Sequence, residues 1–304
     1  YACVKILLLG KNGQVGWELQ RSLALLGEVI ALDRSGGDGL CGDLADLAGL
    51  VATVRKLAPD VIVNAAAYTA VDKAESEEAL AALINGEAPG ILAREAAALG
   101  AWLVHYSTDY VFDGSGNQRW ETDAPTGPLS SYGRSKLAGE EAIRASGAKA
   151  LVLRTSWVYA ARGHNFAKIM LRLATERDSL NVVADQFGAP TGAELIADVT
   201  ALMLAQVLRT KDSSDLAGTY HLAAAGETSW HGFARYVLQH AEQNGVTLKV
   251  SPEQLGAIAT EAYPLPAPRP RNSRLALGKL EHAFQLKMPP WEQGVQRMLD
   301  ETQH

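Results

Sequence analysis

Tyr132 and Lys136 stand at i and i+4, the spacing that puts two side chains on one face of a helix. A phenol and an ammonium so placed can exchange a proton with a substrate oxygen. A free tyrosine titrates near pH ~10, too high for efficient transfer around neutrality, and a cation within one turn favours the phenolate. The spacing therefore predicts a Tyr132 whose pKa is pulled down by Lys136, with Lys136 also in reach of a cofactor ribose. An isolated Y-x-x-x-K describes an ordinary solvent-facing helix equally well. Ser107-Thr108-Asp109, at the end of an apolar run, selects the chemical reading, because Thr108 can hydrogen-bond a carbonyl and hold it for Tyr132.

A second constellation opens the chain. Gly10-Lys11-Asn12-Gly13-Gln14-Val15-Gly16 follows the apolar run 4–9 and leads into a helical pattern. Glycines in that context allow a tight turn, close backbone approach to a pyrophosphate and tight helix-on-strand packing, while the helix N-terminus offers free N–H groups to an anion. The spacing is G-x-x-G-x-x-G rather than G-x-G-x-x-G, and alone it fits a turn with no ligand. Asp33 ends the next apolar run, where a carboxylate can accept hydrogen bonds from adenosine ribose hydroxyls and points to NADH. Arg34 beside it can take a 2′-phosphate and points to NADPH, so both cofactors stay open; a cap or turn role for Asp33 is the plainer alternative. Asp43 and Leu44 fall where adenine would lie. The small Ala65, Ala66 and Ala67 permit close approach on the nicotinamide side, or are simply packing residues.

These residues require a scaffold that gathers strand ends. Runs 4–9, 28–33, 60–64, 101–107 and 150–156 read as strands, the first of them apolar on both faces and so buried. They alternate with helical patterns at 16–27, 44–57, 75–99 (Gly86 or Pro89 being a break) and 131–145. The alternation predicts an α/β fold, a Rossmann-type doubly wound parallel sheet that binds ligands at its carboxyl edge. After Tyr159 the rhythm loosens: helices at 165–177, 193–208 and 230–244, a strand-like run 219–222, and a last helix from about Trp291. The proline-dense 263–270 cannot be regular structure. This predicts a dinucleotide-binding domain over 1–160 and a smaller C-terminal α/β substrate domain over 161–304, some segments of which return to the first.

Bulk properties exclude several classes. A net charge of -6 gives no global positive field for nucleic acid or anionic lipid, so an anionic substrate must be held by a few placed donors. Two cysteines, Cys3 in an expected buried strand and Cys41 in a loop, make no disulfide framework and fit a reducing compartment. No apolar run approaches the ~20 residues of a membrane-spanning helix and no signal peptide is visible, so the expectation is a cytoplasmic enzyme. The histidines are scattered without zinc-ligand spacing, and His105 within a strand reads as structural.

Gly10 to Gly16, Asn64-Ala65-Ala66-Ala67, Ser107 to Phe112 and Tyr132-x-x-x-Lys136 together resemble the extended short-chain dehydrogenase/reductases. Tyr68 to Glu75, Arg154 to Tyr159, Gln186 to Thr191 and Arg269-Pro270-x-Asn272-Ser273 extend the resemblance over essentially the whole chain. They make it similar to the branch that reduces C4 of dTDP-4-dehydro-L-rhamnose to dTDP-L-rhamnose. The resemblance implies NADPH or NADH as cofactor, with Thr69 and Tyr106 among its contacts, and Asp109 and Trp157 on the sugar. Arg269, whose guanidinium fork suits phosphate oxygens, is expected to close with the proline-dense loop over the nucleotide diphosphate, or is an ordinary exposed loop arginine. Arg271 departs from the family, which often has a small residue there. Also implied is Mg²⁺ at a homodimer interface bounded by glutamates, for which Glu18, Glu194 and Glu301 stand by position. Three solvated helix glutamates describe them as well. Two rivals follow. A dehydratase of this fold carries Asp then Glu after the threonine, whereas Asp109 is followed by Tyr110. A non-catalytic cofactor-binding regulatory subunit need not retain Thr108, Tyr132 and Lys136.

Overall fold

In the computed structural model, which describes residues 3–302, the apolar runs become the strands of one sheet. They are Val4–Leu9 (β1), Gly27–Leu32 (β2), Val61–Asn64 (β3), Trp102–Thr108 (β4), Lys149–Thr155 (β5) and Gly218–His221 (β6). The order is β6-β5-β4-β3-β1-β2, and every neighbouring pair is parallel. Ile6, Leu8 and Val63 pack into one core, while Leu7, Leu9 and Ile62 pack into another on the opposite face. That two-sided burial is why these strands read as unbroken apolar runs. The chain turns back between β1 and β3, so their carboxyl ends flank a crevice, the place where open parallel sheets bind ligands.

The longer helices are Gln14–Leu23 (α1), Leu47–Leu57 (α2), Ala88–Leu99 (α3), Ser131–Ser146 (α4), Phe166–Glu176 (α5), Ala193–Arg209 (α6), Trp230–Gln243 (α7) and Trp291–Thr302 (α8). Leu50 and Val54 of α2, Leu92 and Ala96 of α3 and Ile143 of α4 cover one face of the sheet. The other is covered by α1 and α6. Thus β6 and α6, which follow residue 160, lie in the same layers as the first half. Beyond the sheet, α5, α7 and α8 pack around Phe233, Trp291 and Val295, and α5 and α7 around Ala174 and Leu238.

The structure departs from expectation in three places. Residues 75–99 are not one helix: Val71–Ala74 and Glu78–Ala82 precede a π-helical turn, Leu83–Glu87, that runs into α3. Pro89 lacks the N–H of a regular ladder and its ring crowds the preceding turn, which favours the wider loop. The π turn directs Asn85 inward, where its side chain accepts from Tyr68 N and donates to Tyr68 O, both at 2.9 Å, and donates to Ser135 Oγ at 3.0 Å. Next, α2 begins at Leu47 rather than 44, because Asp46 caps it by accepting from Gly49 N at 2.9 Å. Finally, Cys3 is exposed and precedes β1 instead of lying within it. Among the described residues no helix is long and apolar enough to cross a membrane.

Candidate active site

The carboxyl ends of β1, β3, β4 and β5 open on a cleft of about 1100 Å³. Its floor begins with the first strand-to-helix turn. Gly10 has φ +88°, and a Cβ there would lie 2.7 Å from Ala66 N; a Cβ on Gly16 would collide with the Gly10 carbonyl. Both glycines are demanded by the protein's own packing, and Gly16 accordingly does not line the cleft. Gly13 differs, since the nearest atom to a Cβ there is Gly10 O at 3.5 Å. It lines the cleft with Gln14 and Val15, and no side chain caps α1 at Gly13, which leaves first-turn amides for an anion. Gln14 Oε1 is buried without a partner. An open glycine and an uncapped helix start fit a dinucleotide pyrophosphate.

Asp33 lies farther along the same cleft, accepting from Asn12 Nδ2 at 2.8 Å and from Ser35 N at 2.9 Å, with Lys11 Nζ at 3.9 Å. Arg34 is 84% exposed, and its guanidinium reaches Asp43 at 3.4 Å. Asp43, Leu44, Ala65, Ala66, Ala67, Thr69 and Tyr106 line this cleft too.

The opposite wall is the start of α4. Ser130 caps it by accepting from Gly133 N at 3.1 Å, and Ser131 N donates to Glu75 Oε1 at 2.8 Å. A Cβ on Gly133 would collide with the Tyr110 carbonyl, and one on Gly139 with the Asn85 carbonyl, so α4 lies hard against its neighbours. That seating turns Tyr132 and Lys136 into the cleft beside Thr108. Tyr110 meets Tyr132 edge-on at 5.4 Å between ring centres. Thr108 Oγ1 donates to Asp109 Oδ1 at 3.2 Å and accepts from Tyr110 N at 3.2 Å.

The electrostatics correct one expectation. Burial, then the charge of Asp109, pushes Tyr132 up to about 12, against the downward pull of its hydrogen bond with Thr108. Burial outweighs any pull from Lys136, whose ammonium donates to the Tyr106 carbonyl at 2.5 Å. Burial brings Lys136 itself down to about 8, opposed by Glu140. Tyr132 is therefore a neutral phenol around pH 7, a donor able to yield its proton only to a strong base such as a developing alkoxide. Burial also lifts Asp109 to about 6 against the downward pull of Ser273 and Thr108, and its Oδ2 has no hydrogen-bond partner. Tyr110 is pushed up as well, burial leading, which removes it as a base.

Several residues at the site were not foreseen. Asn85, Glu75 and Ser131 seat Tyr68 and α4, and Ser107, Thr155 and Ser156 line the cleft with their hydroxyls buried and without partners. The serines and threonine sit at strand ends within segments that the sequence singles out, but with no role of their own assigned there. Asn85 had no such signal, since the π turn that aims it inward is a tertiary outcome.

Arg269 departs from expectation. It does not line the cleft; its guanidinium forks onto Asp72, at 2.9 Å from Oδ1 and 2.8 Å from Oδ2. Ala267 N adds a bond to Asp72 Oδ1 at 3.1 Å, so the proline-dense loop is pinned to the short helix Val71–Ala74. Arg271 pairs with Glu261. Trp157, with φ +50°, does line the cleft.

Glu18, Glu194 and Glu301 are drawn together around a separate cavity of about 80 Å³ beside Tyr159 and Trp291. Arg297 lies 3.4 Å from Glu194 and 3.2 Å from Glu301, and Arg21 lies 3.5 Å from Glu18. Burial raises Glu194, with Arg297 opposing. Carboxylate oxygens are the donors Mg²⁺ prefers. Among the described residues, however, no three His, Cys, Asp or Glu side chains are gathered closely enough to hold an ion, so one chain does not build that site.

A parallel sheet whose switch point can seat a dinucleotide, with a tyrosine donor and a buried lysine at its edge, is the arrangement of a nicotinamide-dependent oxidoreductase of the extended short-chain dehydrogenase/reductase class. The chain belongs to the family described as the RmlD substrate binding domain, whose model matches residues 4–304. A dTDP-4-dehydrorhamnose reductase of Salmonella typhimurium is 54% identical over 298 residues, covering 98% of each chain. The crystal structure of a dTDP-4-dehydrorhamnose reductase from Clostridium acetobutylicum superposes with a TM-score of 0.87 at 34% identity, covering 99% of this chain and 100% of that one. The Bacillus anthracis enzyme of that name, in complex with NADP, gives 0.85 at 34% identity over 98% and 100% of the two chains.

Proposed function

We propose that this protein reduces the C4 keto group of dTDP-4-dehydro-L-rhamnose to dTDP-L-rhamnose with NADPH or NADH. The carrying observation is the meeting of Thr108, Tyr132 and Lys136 in the cleft that the Gly10–Gly16 turn opens. When bound, the reduced nicotinamide supplies the hydride. Thr108, turning its hydroxyl from Asp109 Oδ1, holds the substrate carbonyl, and Tyr132 gives its proton to the oxygen as negative charge develops there, a contribution of roughly 10²–10⁴-fold for a placed acid. Lys136, fixed on the Tyr106 carbonyl, keeps a positive charge near that oxygen and in reach of a ribose. The buried walls exclude water, which strengthens each of these interactions. Gly10, Gly13, Gln14, Val15, Asp33, Asp43, Leu44, the Ala65–Ala67 segment, Thr69 and Tyr106 hold the cofactor, and Asp109 and Trp157 the sugar. The 98% coverage at 54% identity supports the choice of substrate.

The finer parts of the reading are the division near residue 160, a cytoplasmic setting suited to water-soluble reactants, and a homodimer. Mg²⁺ belongs to it only if a second copy completes the Glu18, Glu194 and Glu301 cluster; unchanged oligomer and activity in EDTA would remove it. Arg269 serves the diphosphate only by leaving Asp72, so an Arg269→Ala variant with wild-type substrate affinity would end that role. The decisive assay follows the loss of reduced-nicotinamide absorbance with dTDP-4-dehydro-L-rhamnose, wild type beside Tyr132→Phe. Substrate-dependent oxidation that collapses in Tyr132→Phe supports the reading; cofactor binding without turnover in the wild type refutes it.

A further inference from the structure

Trp157 combines three properties seldom found together. It lines the cleft, its backbone is left-handed at φ +50°, and its indole is stacked on Trp230 with 3.8 Å between ring centres. A bulky side chain rarely holds that conformation unless its surroundings impose it. The other jaw is Gly188. A Cβ there would lie 2.9 Å from Cε2 and 3.2 Å from Cδ2 of the Trp157 indole, over its face. All three of the nearest atoms belong to Trp157, so Trp230 must lie on the opposite face. The jaws are tied to each other, because Phe187–Gly188 pairs antiparallel with Thr228–Ser229, the residues just before Trp230. Trp230 is anchored in turn against Phe166 at 4.6 Å and Phe233 at 6.2 Å between ring centres, in the core beyond the sheet. It does not itself line the cleft.

We propose that Trp230 is a positioning residue that, with the bare backbone of Gly188, clamps Trp157 in the cleft and so fixes the wall against which the sugar rests. The inference rests on the sugar role proposed for Trp157 and adds to it a residue that touches neither substrate nor cofactor. It also gives Gly188 a reason to be glycine that its backbone angles do not.

The test uses the full chain with Trp230→Ala, Trp230→Phe and Gly188→Ala, read in two ways. Two near-parallel indoles this close couple, so the wild type should show a paired positive and negative far-ultraviolet circular dichroism band that both Trp230 variants lose. Trp230→Ala should raise the KM for the nucleotide sugar about tenfold while the cofactor Kd stays within about twofold. Trp230→Phe should recover most of that affinity, since a phenyl ring still stacks, and Gly188→Ala should raise KM with Trp230 intact. An unchanged sugar KM in Trp230→Ala overturns the proposal. So does a loss of cofactor affinity in step with sugar affinity in Trp230→Phe and Gly188→Ala, which marks general unfolding. A wild type that does not reduce this sugar sinks the functional reading instead; the clamp is then judged on the paired band, whose absence overturns it.

Discussion

The ammonium of Lys136 is bonded to the backbone carbonyl of Tyr106 at 2.5 Å, on the strand that ends in Thr108. Lys136 is therefore a fixed charge on the cleft wall whose own titration falls at about 8. A lysine with a lowered pKa is cationic below that value and neutral above it, whereas Tyr132, near 12, remains protonated throughout. Turnover should fall as pH rises through about 8. Lys136→Arg, which cannot titrate in that range, should lose this limb whatever its absolute rate; a pH profile of kcat for both proteins decides it.

Tyr132→Phe should lower kcat by roughly 10²–10⁴-fold with little change in cofactor Kd, because only the transition state uses the hydroxyl. Steady-state kinetics beside cofactor titration would show it. Equal losses in both would mean that Tyr132 holds the cofactor instead.

Asp109 carries a folding cost. Its pKa is raised to about 6 in the folded chain, so the native state prefers the protonated form. The penalty is absent below the unfolded value near ~3.9, grows as pH rises to about 6, and is complete above it. Asp109→Asn should therefore be more stable at neutral pH by on the order of 2–3 kcal/mol, and no more stable near pH ~3.9, while its activity falls. Urea unfolding at the two pH values tests the sign.

Arg154 and Glu140 form a buried bidentate pair, Nε–Oε1 2.9 Å and Nη2–Oε2 2.6 Å, with the guanidinium also donating to Thr122 O at 3.1 Å. Removing one partner strands the other charge. Glu140→Gln should cost about 3–5 kcal/mol in urea unfolding, and a second substitution, Arg154→Met, should restore much of it. Because Glu140 also supports the charged form of Lys136, the single variant should move the alkaline limb to lower pH.

Arg34, next to Asp33 in the chain, is exposed and, among the described residues, held only by Asp43 at 3.4 Å. Arg34→Ala should weaken NADPH binding by about tenfold and leave NADH nearly unchanged, if a 2′-phosphate is read by this arginine. Equal Kd changes for the two cofactors would assign the preference elsewhere.

The sequence alone determined the local rules of this protein. The apolar runs alternating with helical patterns point to a parallel sheet, and the Gly10–Gly16 turn and the Tyr132–Lys136 spacing depend on contacts within one or two turns of chain. Such features are legible because their physics is short in range. The tertiary structure decided what depends on distant partners. Pro89 and the packing of α4 turned Asn85 inward, and Asp72 captured Arg269 from far along the chain. Burial moved Tyr132 upward where its nearest lysine suggested the reverse. Desolvation and ion-pair choice are sums over the whole fold, and no local spacing contains them.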